Sequence, residues 1–168
     1  MTSGATADAA LVEDAHERHG AALFDFVRHL GLSDEEAYDA VQEVFLRLWR
    51  EYRRGTAIDN PAGWTYRTAY RVAMGEHRWR RRMARVLPRL SPHHPAFSAP
   101  EEGDRVAVWS TVDRLPERQR QALYLHYAAD LDFEVIGRVL GISASTARTH
   151  ASRGLASLRD QLGGWEQA

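Results

Sequence analysis

The sequence predicts an all-α protein made of two small helical domains joined by a flexible linker. Apolar residues recur at three- and four-residue spacing along the chain, and no stretch alternates with a period of two. Residues 87–103 hold four of the six prolines, which excludes a continuous helix there. The predicted first domain spans residues 8–88, the linker 89–104 and the second domain 105–165.

Two amphipathic helices are predicted before residue 53. The first covers about residues 9–30 and ends at Gly31. Ser33 is the predicted N-cap of the second, and Glu36, three positions on, completes a capping box. This second helix should run to about residue 52, and its predicted apolar face consists of Ala37, Val41, Val44, Phe45 and Leu48.

A third helix is predicted from Pro61 to about residue 83, after a short loop at residues 53–60. Asn60 is its predicted N-cap, and Pro61 occupies the first helical position, where the missing N–H costs nothing. The proline-rich segment that follows is interpreted as the linker between the domains.

Four shorter helices are predicted in the second domain, at residues 105–115, 116–129, 133–140 and 143–162. Asp132 should cap the third of these, Gly141 should end it, and Ser143 should cap the last. This spacing is typical of a helix–turn–helix, and the early exposed positions of its second helix are Ser, Thr and Arg, which can reach base edges and phosphates. The alternative interpretation is a helical bundle with an arginine-dotted solvent face.

The composition excludes several function classes. With no cysteine among 168 residues, the chain has no disulfide, iron–sulfur cluster, zinc–thiolate site or thiol nucleophile. No apolar run approaches the roughly 20 residues of a membrane span. His93 and His94 lack a third ligand at metal spacing, and no phosphate-cradling glycine loop is present. We therefore expect a cytoplasmic protein that is not inserted in a membrane, is not an enzyme and carries no metal or cofactor.

The formal net charge of −1 conceals an acidic front and a basic middle. Residues 1–40 carry two arginines and nine acids, whereas residues 41–90 carry twelve arginines and four acids. In the basic middle, aromatic and basic side chains interleave: Trp64, Tyr66, Arg67, Tyr70, Arg71, Arg78, Trp79, Arg80, Arg81 and Arg82. Aromatic rings stack on unpaired bases, at about 1–3 kcal/mol per base, while arginines neutralise phosphates. The alternative is that Trp64, Ala69 and Val72 belong to the core and the arginines are merely solvated.

Three motifs, in this order, resemble the extracytoplasmic-function sigma factors of bacterial RNA polymerase. DAVQEVFLRLW at residues 39–49 resembles the signature helix of that family, and NPAGWTYR at 60–67 resembles its promoter-melting helix. LPERQRQAL at 115–123, followed by VLGIS at 139–143, resembles its C-terminal domain. The resemblance covers nearly the whole chain.

The resemblance, together with the arginine pattern, assigns three sets of contact residues. Those expected to bind the polymerase are Asp39, Gln42, Glu43, Arg47 and Trp49. Those expected to bind the −10 element are Asn60, Trp64, Tyr66, Arg67, Arg71, Arg78, Arg80 and Arg81, beside a loop at 55–60 that would receive a flipped base. Those expected to bind the −35 element are Ser143, Ser145, Thr146, Arg148, Thr149 and Arg153.

The implied function is that of a dissociable specificity subunit, with core RNA polymerase, promoter DNA and an anti-sigma factor as partners. Two alternatives are a helix–turn–helix regulator that acts without polymerase and a sigma-like decoy that initiates nothing. The sequence also departs from the family. Arg71 stands where asparagine is common, which predicts an unusual −10 preference, and Ala147 and Ala151 stand where valine or leucine is common, which predicts loose packing of the recognition helix.

Overall fold

The structure, a computed structural model, describes residues 2–86 and 111–163 and the side chains of residues 7–85 and 111–161. These residues form helices and turns without a strand, which confirms the predicted all-α class. The chain divides into two compact units, Met1–Pro95 (unit 1) and Ala96–Ala168 (unit 2). The predicted linker at 89–104, His93, His94 and most of the helix predicted at 105–115 lie outside the described residues.

Unit 1 contains three helices: α1 (Thr2–His29), α2 (Asp34–Arg53) and α3 (Pro61–Val86). Each contacts the other two, and the core between them includes Leu23, Phe26, Val27, Val44, Leu48, Tyr66 and Ala69. The five apolar residues predicted for α2 are all buried. Both α1 and α3 are longer than predicted: α1 begins before the apolar periodicity, at Thr2, and α3 continues past it to Val86.

The capping box at the start of α2 is confirmed. The Glu36 backbone N–H donates to Ser33 Oγ at 3.2 Å, and the Ser33 N–H donates to Glu36 Oε2 at 2.7 Å. At the start of α3, the Gly63 N–H donates to Asn60 Oδ1 at 2.7 Å, as expected of an N-cap. These caps fix where α2 and α3 begin, and therefore which of their faces turn inward.

The corner between α1 and α2 is held by side chains of α3. His77 Nε2 donates to the Leu30 carbonyl at 2.7 Å, and Arg80 forms an ion pair with Glu36 at 2.7 Å. From α1, Arg28 pairs with Asp34 at 2.6 Å. The second half of α3 is thereby anchored to the end of α1 and the start of α2.

Unit 2 begins its described part with the end of a helix at residues 111–112, followed by α4 (Glu117–Leu123), α5 (Phe133–Leu140) and α6 (Ala144–Gly163). The helix predicted at 116–129 has the expected extent, but its second half, Tyr124–Ala128, is a π-helix. Residues 121–125 are all buried, so the chain is enclosed on every side where the α-helix gives way to the π-helix. Single π turns are rare and frequently lie at functional sites.

The predicted turn between α5 and α6 is confirmed. Asp132 caps α5 by accepting from the Val135 N–H at 2.8 Å, and Gly141 ends it in the left-handed conformation at φ 69°. A Cβ at Gly137 would lie 2.8 Å from the Ile142 carbonyl oxygen, so only glycine permits this close approach. This close backbone contact at Gly137 therefore sets how α5 and α6 pack against each other.

Candidate nucleic-acid interface

A cationic cavity of about 330 Å³ lies where the second half of α2 meets the first half of α3. It is lined by Arg47, Arg50, Glu51, Arg54, Trp64, Arg67, Thr68 and Arg71. Its single carboxylate, Glu51, accepts from Arg54 at 2.8 Å and from the Thr56 hydroxyl at 3.0 Å. The cavity therefore presents an excess of guanidinium groups and one half-buried indole, a combination suited to a phosphate and an aromatic base.

The structure brings together three of the residues predicted to bind the −10 element. Trp64, Arg67 and Arg71 all line the cavity, and Arg47, predicted to bind the polymerase, lines it too. Asn60 lies just before them, with its side-chain oxygen capping α3. Arg78 and Arg81 are exposed further along α3, outside the set of residues that line the cavity.

The prediction that Tyr66 contacts DNA is wrong. Its side chain is only 1% exposed, and its ring packs edge-on against Phe26 with the ring centroids 5.4 Å apart. Burial, together with the carboxylate of Asp25, raises the pKa of the Tyr66 phenol above its usual range. Tyr66 is a core residue because its position on α3 faces α1 rather than solvent.

The structure also places Arg80, predicted to contact DNA, against carboxylates inside unit 1. Its side chain is 11% exposed and lies against two carboxylates, 2.7 Å from Glu36 and 3.6 Å from Glu76. Its charge is used inside unit 1, where it joins α3 to the start of α2. Helical phase is the signal that could have shown that both side chains turn inward. A single stripe spaced by three and four residues contains Tyr66, Ala69, Ala73, His77 and Arg80.

The residues predicted to bind the polymerase lie along α2, outside its buried stripe. Asp39, Gln42 and Arg47 are exposed, whereas Glu43 and Trp49 are half-buried. Arg47 pairs with Glu43 at 2.7 Å, and the guanidinium of Arg53 lies 5.2 Å from the Trp49 ring centroid.

Sequence reasoning missed Leu46 on this face of α2. Its side chain is 48% exposed, and it lies one turn after Gln42 and Glu43. The signal was present in the sequence: Leu46 is apolar but falls outside the spacing of the buried residues Val41, Val44 and Leu48. An exposed leucine among polar neighbours adds an apolar contact point to this surface.

All six residues predicted to bind the −35 element are exposed on or beside the start of α6. The Ser143 hydroxyl accepts from the Thr146 N–H at 3.1 Å and lies 2.9 Å from Ser145 Oγ and 2.7 Å from Thr146 Oγ1. Thr149 donates to the Ser145 carbonyl at 2.9 Å. The hydroxyls of Ser143, Ser145 and Thr146 therefore form one linked group at the start of the helix.

The opposite side of α6 is buried, although it carries small residues. Ala147 is 0% and Ala151 is 3% exposed, and α6 contacts both α4 and α5. Short side chains let these helices approach closely, so the loose packing predicted from the two alanines is not evident in the burial of this face.

Sequence reasoning also missed Phe133, the first residue of α5. The guanidinium carbon of Arg148 lies 5.1 Å from the centroid of its ring. No spacing rule links positions 133 and 148, because they belong to different helices and meet only through the turn between them.

Two features are absent from the described residues, a membrane-spanning helix and a cluster of metal ligands. No helix among them is long and apolar enough to cross a membrane. Within the same part of the chain, no group of three or more His, Cys, Asp or Glu side chains is placed to hold a metal ion.

Comparison with protein families gives two matches in the predicted order. The model of sigma-70 region 2 matches residues 15–84, and that of sigma-70 region 4 matches residues 105–158. The first includes α2, α3 and the cationic cavity, and the second includes the helix–turn–helix. Together they span most of the chain.

Curated relatives align along most of this chain. The RNA polymerase sigma factor CarQ of Myxococcus xanthus is 29% identical over 157 residues, covering 90% of this chain and 88% of the relative. The ECF RNA polymerase sigma factor SigE of Mycolicibacterium smegmatis is 31% identical over 156 residues, covering 86% of this chain and 59% of the relative.

Solved structures share the fold. The sigma factor RpoE of Bartonella quintana, solved in complex with the anti-sigma factor NepR, has a TM-score of 0.71 at 19% identity, over 90% of this chain and 98% of that one. CnrH, solved with the cytosolic domain of CnrY, has a TM-score of 0.62 at 21% identity, over 96% and 93% of the two chains. With both regions matched in order and ECF sigma factors among its relatives, the chain belongs to the extracytoplasmic-function sigma factors of the sigma-70 family.

Proposed function

We propose that this chain is a dissociable subunit that directs core RNA polymerase to promoters, with unit 1 holding the melted −10 element and unit 2 reading the −35 duplex. The observation that carries this proposal is the pairing of two different surfaces on one chain. Unit 1 has a cavity that joins an indole to five arginines, and unit 2 has a helix whose exposed face is made of hydroxyls and arginines. The first suits an unstacked base with its phosphate, and the second suits a major groove.

Base capture in unit 1 would work through Trp64, Arg67 and Arg71. A base leaving the duplex costs a few kcal/mol in lost stacking and pairing. An aromatic ring and nearby guanidiniums offset part of that cost, because they stack on the base and neutralise its phosphate. The cavity adjoins the loop at residues 54–60, so the proposal assigns the flipped base to this region.

Duplex reading in unit 2 would work through the first turns of α6. Hydroxyl groups at 143, 145, 146 and 149 donate or accept at base edges, whereas Arg148 and Arg153 suit phosphate or guanine. Holding both elements at once would raise the affinity of each unit through effective concentration. Leu46, together with the five α2 residues predicted to bind the polymerase, would dock on the core enzyme.

Control by an anti-sigma factor is part of the proposal. It is supported by the structural neighbour from Bartonella quintana, which was solved with an anti-sigma factor. The chain would act by binding, with catalysis left to the polymerase, and would work in the cytoplasm, where that enzyme is found.

Run-off transcription with purified core enzyme tests the proposal. We expect promoter-dependent transcripts from a panel of genomic promoters only when the chain is added. We expect Arg67→Gln combined with Arg71→Gln to reduce open complexes, scored by permanganate reactivity of melted thymines, by about tenfold or more. Arg85→Gln is the matched control, because Arg85 is exposed on the same helix but does not line the cavity.

The outcomes separate the proposal from its alternatives. DNA binding without any effect of core enzyme would favour a helix–turn–helix regulator. Binding to core enzyme without open complexes on any promoter would favour a decoy. Either result contradicts the proposed function.

A further inference from the structure

Arg148 is exposed on α6, yet its side chain rests on a neighbouring helix. Its guanidinium carbon lies 5.1 Å from the centroid of the Phe133 ring, within the range of a cation–π interaction. Such a contact uses the face of the ring and consumes none of the five N–H donors of the guanidinium. The side chain is therefore supported without using its capacity to bind an anion.

The Phe133 ring also contacts a second ring. It stacks on His126 with centroids 4.3 Å apart and an interplanar angle of 28°. His126 Nδ1 lies 3.0 Å from the Leu131 carbonyl oxygen, and because a carbonyl only accepts, this ring nitrogen donates. Three side chains, His126, Phe133 and Arg148, thus form a row from the π-helix to α6, which we term the aromatic row.

The backbone around Phe133 adds to this support. Phe133 is the first residue of α5, which begins at the Asp132 cap. His126 lies within the π-helix, Tyr124–Ala128, directly after the buried residue Leu125, which fixes its backbone position. The ring that supports Arg148 is therefore attached to two fixed backbone segments.

We propose that Phe133 is a positioning residue, which holds the Arg148 guanidinium in the direction needed to contact a phosphate of the −35 duplex. This inference rests on the proposed function and deepens it. A long arginine side chain loses rotamer freedom when it binds, and a side chain already held in one direction loses less of it. Phe133 would therefore strengthen DNA binding without touching DNA.

Arg153 offers a matched comparison. It is exposed on the same helix and carries the same charge, but it has no ring contact within the part of the chain that the structure describes. If Phe133 acts through Arg148, its removal should weaken binding only when Arg148 is present. The removal of Arg153 should have no bearing on the effect of Phe133.

A double-mutant cycle tests this inference with the holoenzyme. The probe is a labelled duplex carrying the upstream half of the promoter that the wild-type holoenzyme transcribes best. We expect Phe133→Leu to weaken binding about two- to fivefold in the wild-type background, which is the range of an exposed cation–π contact. The same substitution should leave the Kd of an Arg148→Ala variant unchanged, and its effect should persist in full in an Arg153→Ala variant.

Two further measurements separate positioning from a purely structural role. Phe133→Tyr keeps the ring and should keep wild-type affinity. Arg148→Ala should reduce the steepness of the fall of log K with log salt by about 1. Phe133→Leu should preserve that slope because the phosphate contact is still made. Should Phe133→Leu unfold unit 2, Phe133→Met replaces it in the cycle and fills the volume without a ring.

The inference is overturned if the loss caused by Phe133→Leu is equal with and without Arg148, or if Phe133→Tyr binds as weakly as Phe133→Leu. The proposed function fails separately, when the wild-type holoenzyme yields no promoter-dependent transcript.

Discussion

The basic helices α3 and α6 use their arginines in different ways. In unit 1, Arg80 is 11% exposed and pairs with Glu36, while Arg67 and Arg71 line a cavity on the same helix. In unit 2, Arg148 and Arg153 both lie on the exposed face of a single helix. A long helix with a basic run thus combines an arginine that pairs within the unit with arginines that line a cavity, whereas the short helix–turn–helix directs its arginines outward together.

Helical phase, rather than membership of the basic motif, therefore decides whether an arginine faces the core or the solvent. α3 contacts both α1 and α2, so its inward stripe continues well into the arginine run. α6 packs on α4 and α5 through Ala147, Ala151 and Leu158 and leaves Arg148 and Arg153 exposed. Four measurements test this contrast.

The largest expected effect is at Tyr66. We expect Tyr66→Ala to cost unit 1 about 3–5 kcal/mol of unfolding free energy, as usual for an aromatic residue removed from a core. Hydrogen exchange followed by mass spectrometry would measure this change for each unit. Trp79→Ala is the control on the same helix: Trp79 is 52% exposed, so the change should stay within about 0.5 kcal/mol. A loss for Tyr66→Ala as small as the one expected for Trp79→Ala would show that Tyr66 is not a core residue.

The second effect contrasts a glycine from each unit. A Cβ at Gly137 would lie 2.8 Å from the backbone oxygen of Ile142, so Gly137→Ala should cost unit 2 about 1–3 kcal/mol. At Gly75 in α3 the nearest atom would be the end of the Arg78 side chain at 3.9 Å, so Gly75→Ala should stabilise unit 1 by about 0.5–1 kcal/mol. Thermal unfolding of the two variants measures both changes. A neutral or stabilising effect of Gly137→Ala would contradict the described turn.

The third effect is the coupling between Arg80 and Glu36. Their side chains are 11% and 31% exposed, so solvent weakens the pair only in part, and we expect a coupling of about 1–2 kcal/mol from Arg80→Gln and Glu36→Gln. The pair Arg54 and Glu51 is the control, because Arg54 is 70% exposed and the coupling should be about 0.5 kcal/mol or less. Chemical denaturation of the single and double variants gives both values. A coupling near zero for Arg80 would return it to the set of residues that can contact DNA.

The smallest effect is at Ser143, the N-cap of α6. Ser143→Ala should cost about 1 kcal/mol, since the Thr146 N–H loses its acceptor, and Ser143→Asp should retain the stability. Exchange rates of the first amides of α6 would report this change. Ser152→Ala, an exposed position on the same helix, should leave those rates unaltered. Faster exchange in the Ser152 variant as well would mean that the cap is not the cause.

Local rules were sufficient to predict much of the fold. Ser33, Asn60, Asp132 and Ser143 were assigned as N-caps, and each accepts the expected backbone hydrogen bond. Caps depend on neighbours three residues away, so the sequence contains all the information they require. The π-helix at Tyr124–Ala128 was not predicted, because no local spacing rule distinguishes an i→i+5 turn from an α-helical one.

The candidate site was predictable only in part, for a related reason. Trp64, Arg67 and Arg71, which the motif places in one group, line one cavity. The motif predicts DNA contacts for Tyr66 and Arg80, but helical phase, which the motif does not consider, turns both side chains toward the interior of unit 1. Phe133 was missed because its contact with Arg148 crosses a turn, and no periodic pattern within one helix encodes such a contact.

The hydroxyl of Ser143 has a consequence for how this sigma factor can evolve toward new promoters. In the proposed function Ser143 contacts the −35 duplex, so a replacement there would change base preference and helix stability at the same time, and Thr, Asp or Asn would best preserve the cap. Arg153 lies further along the exposed face and has no part in that cap. Duplicated copies that diverge in promoter choice should therefore vary first at Arg153 and retain a capping residue at 143.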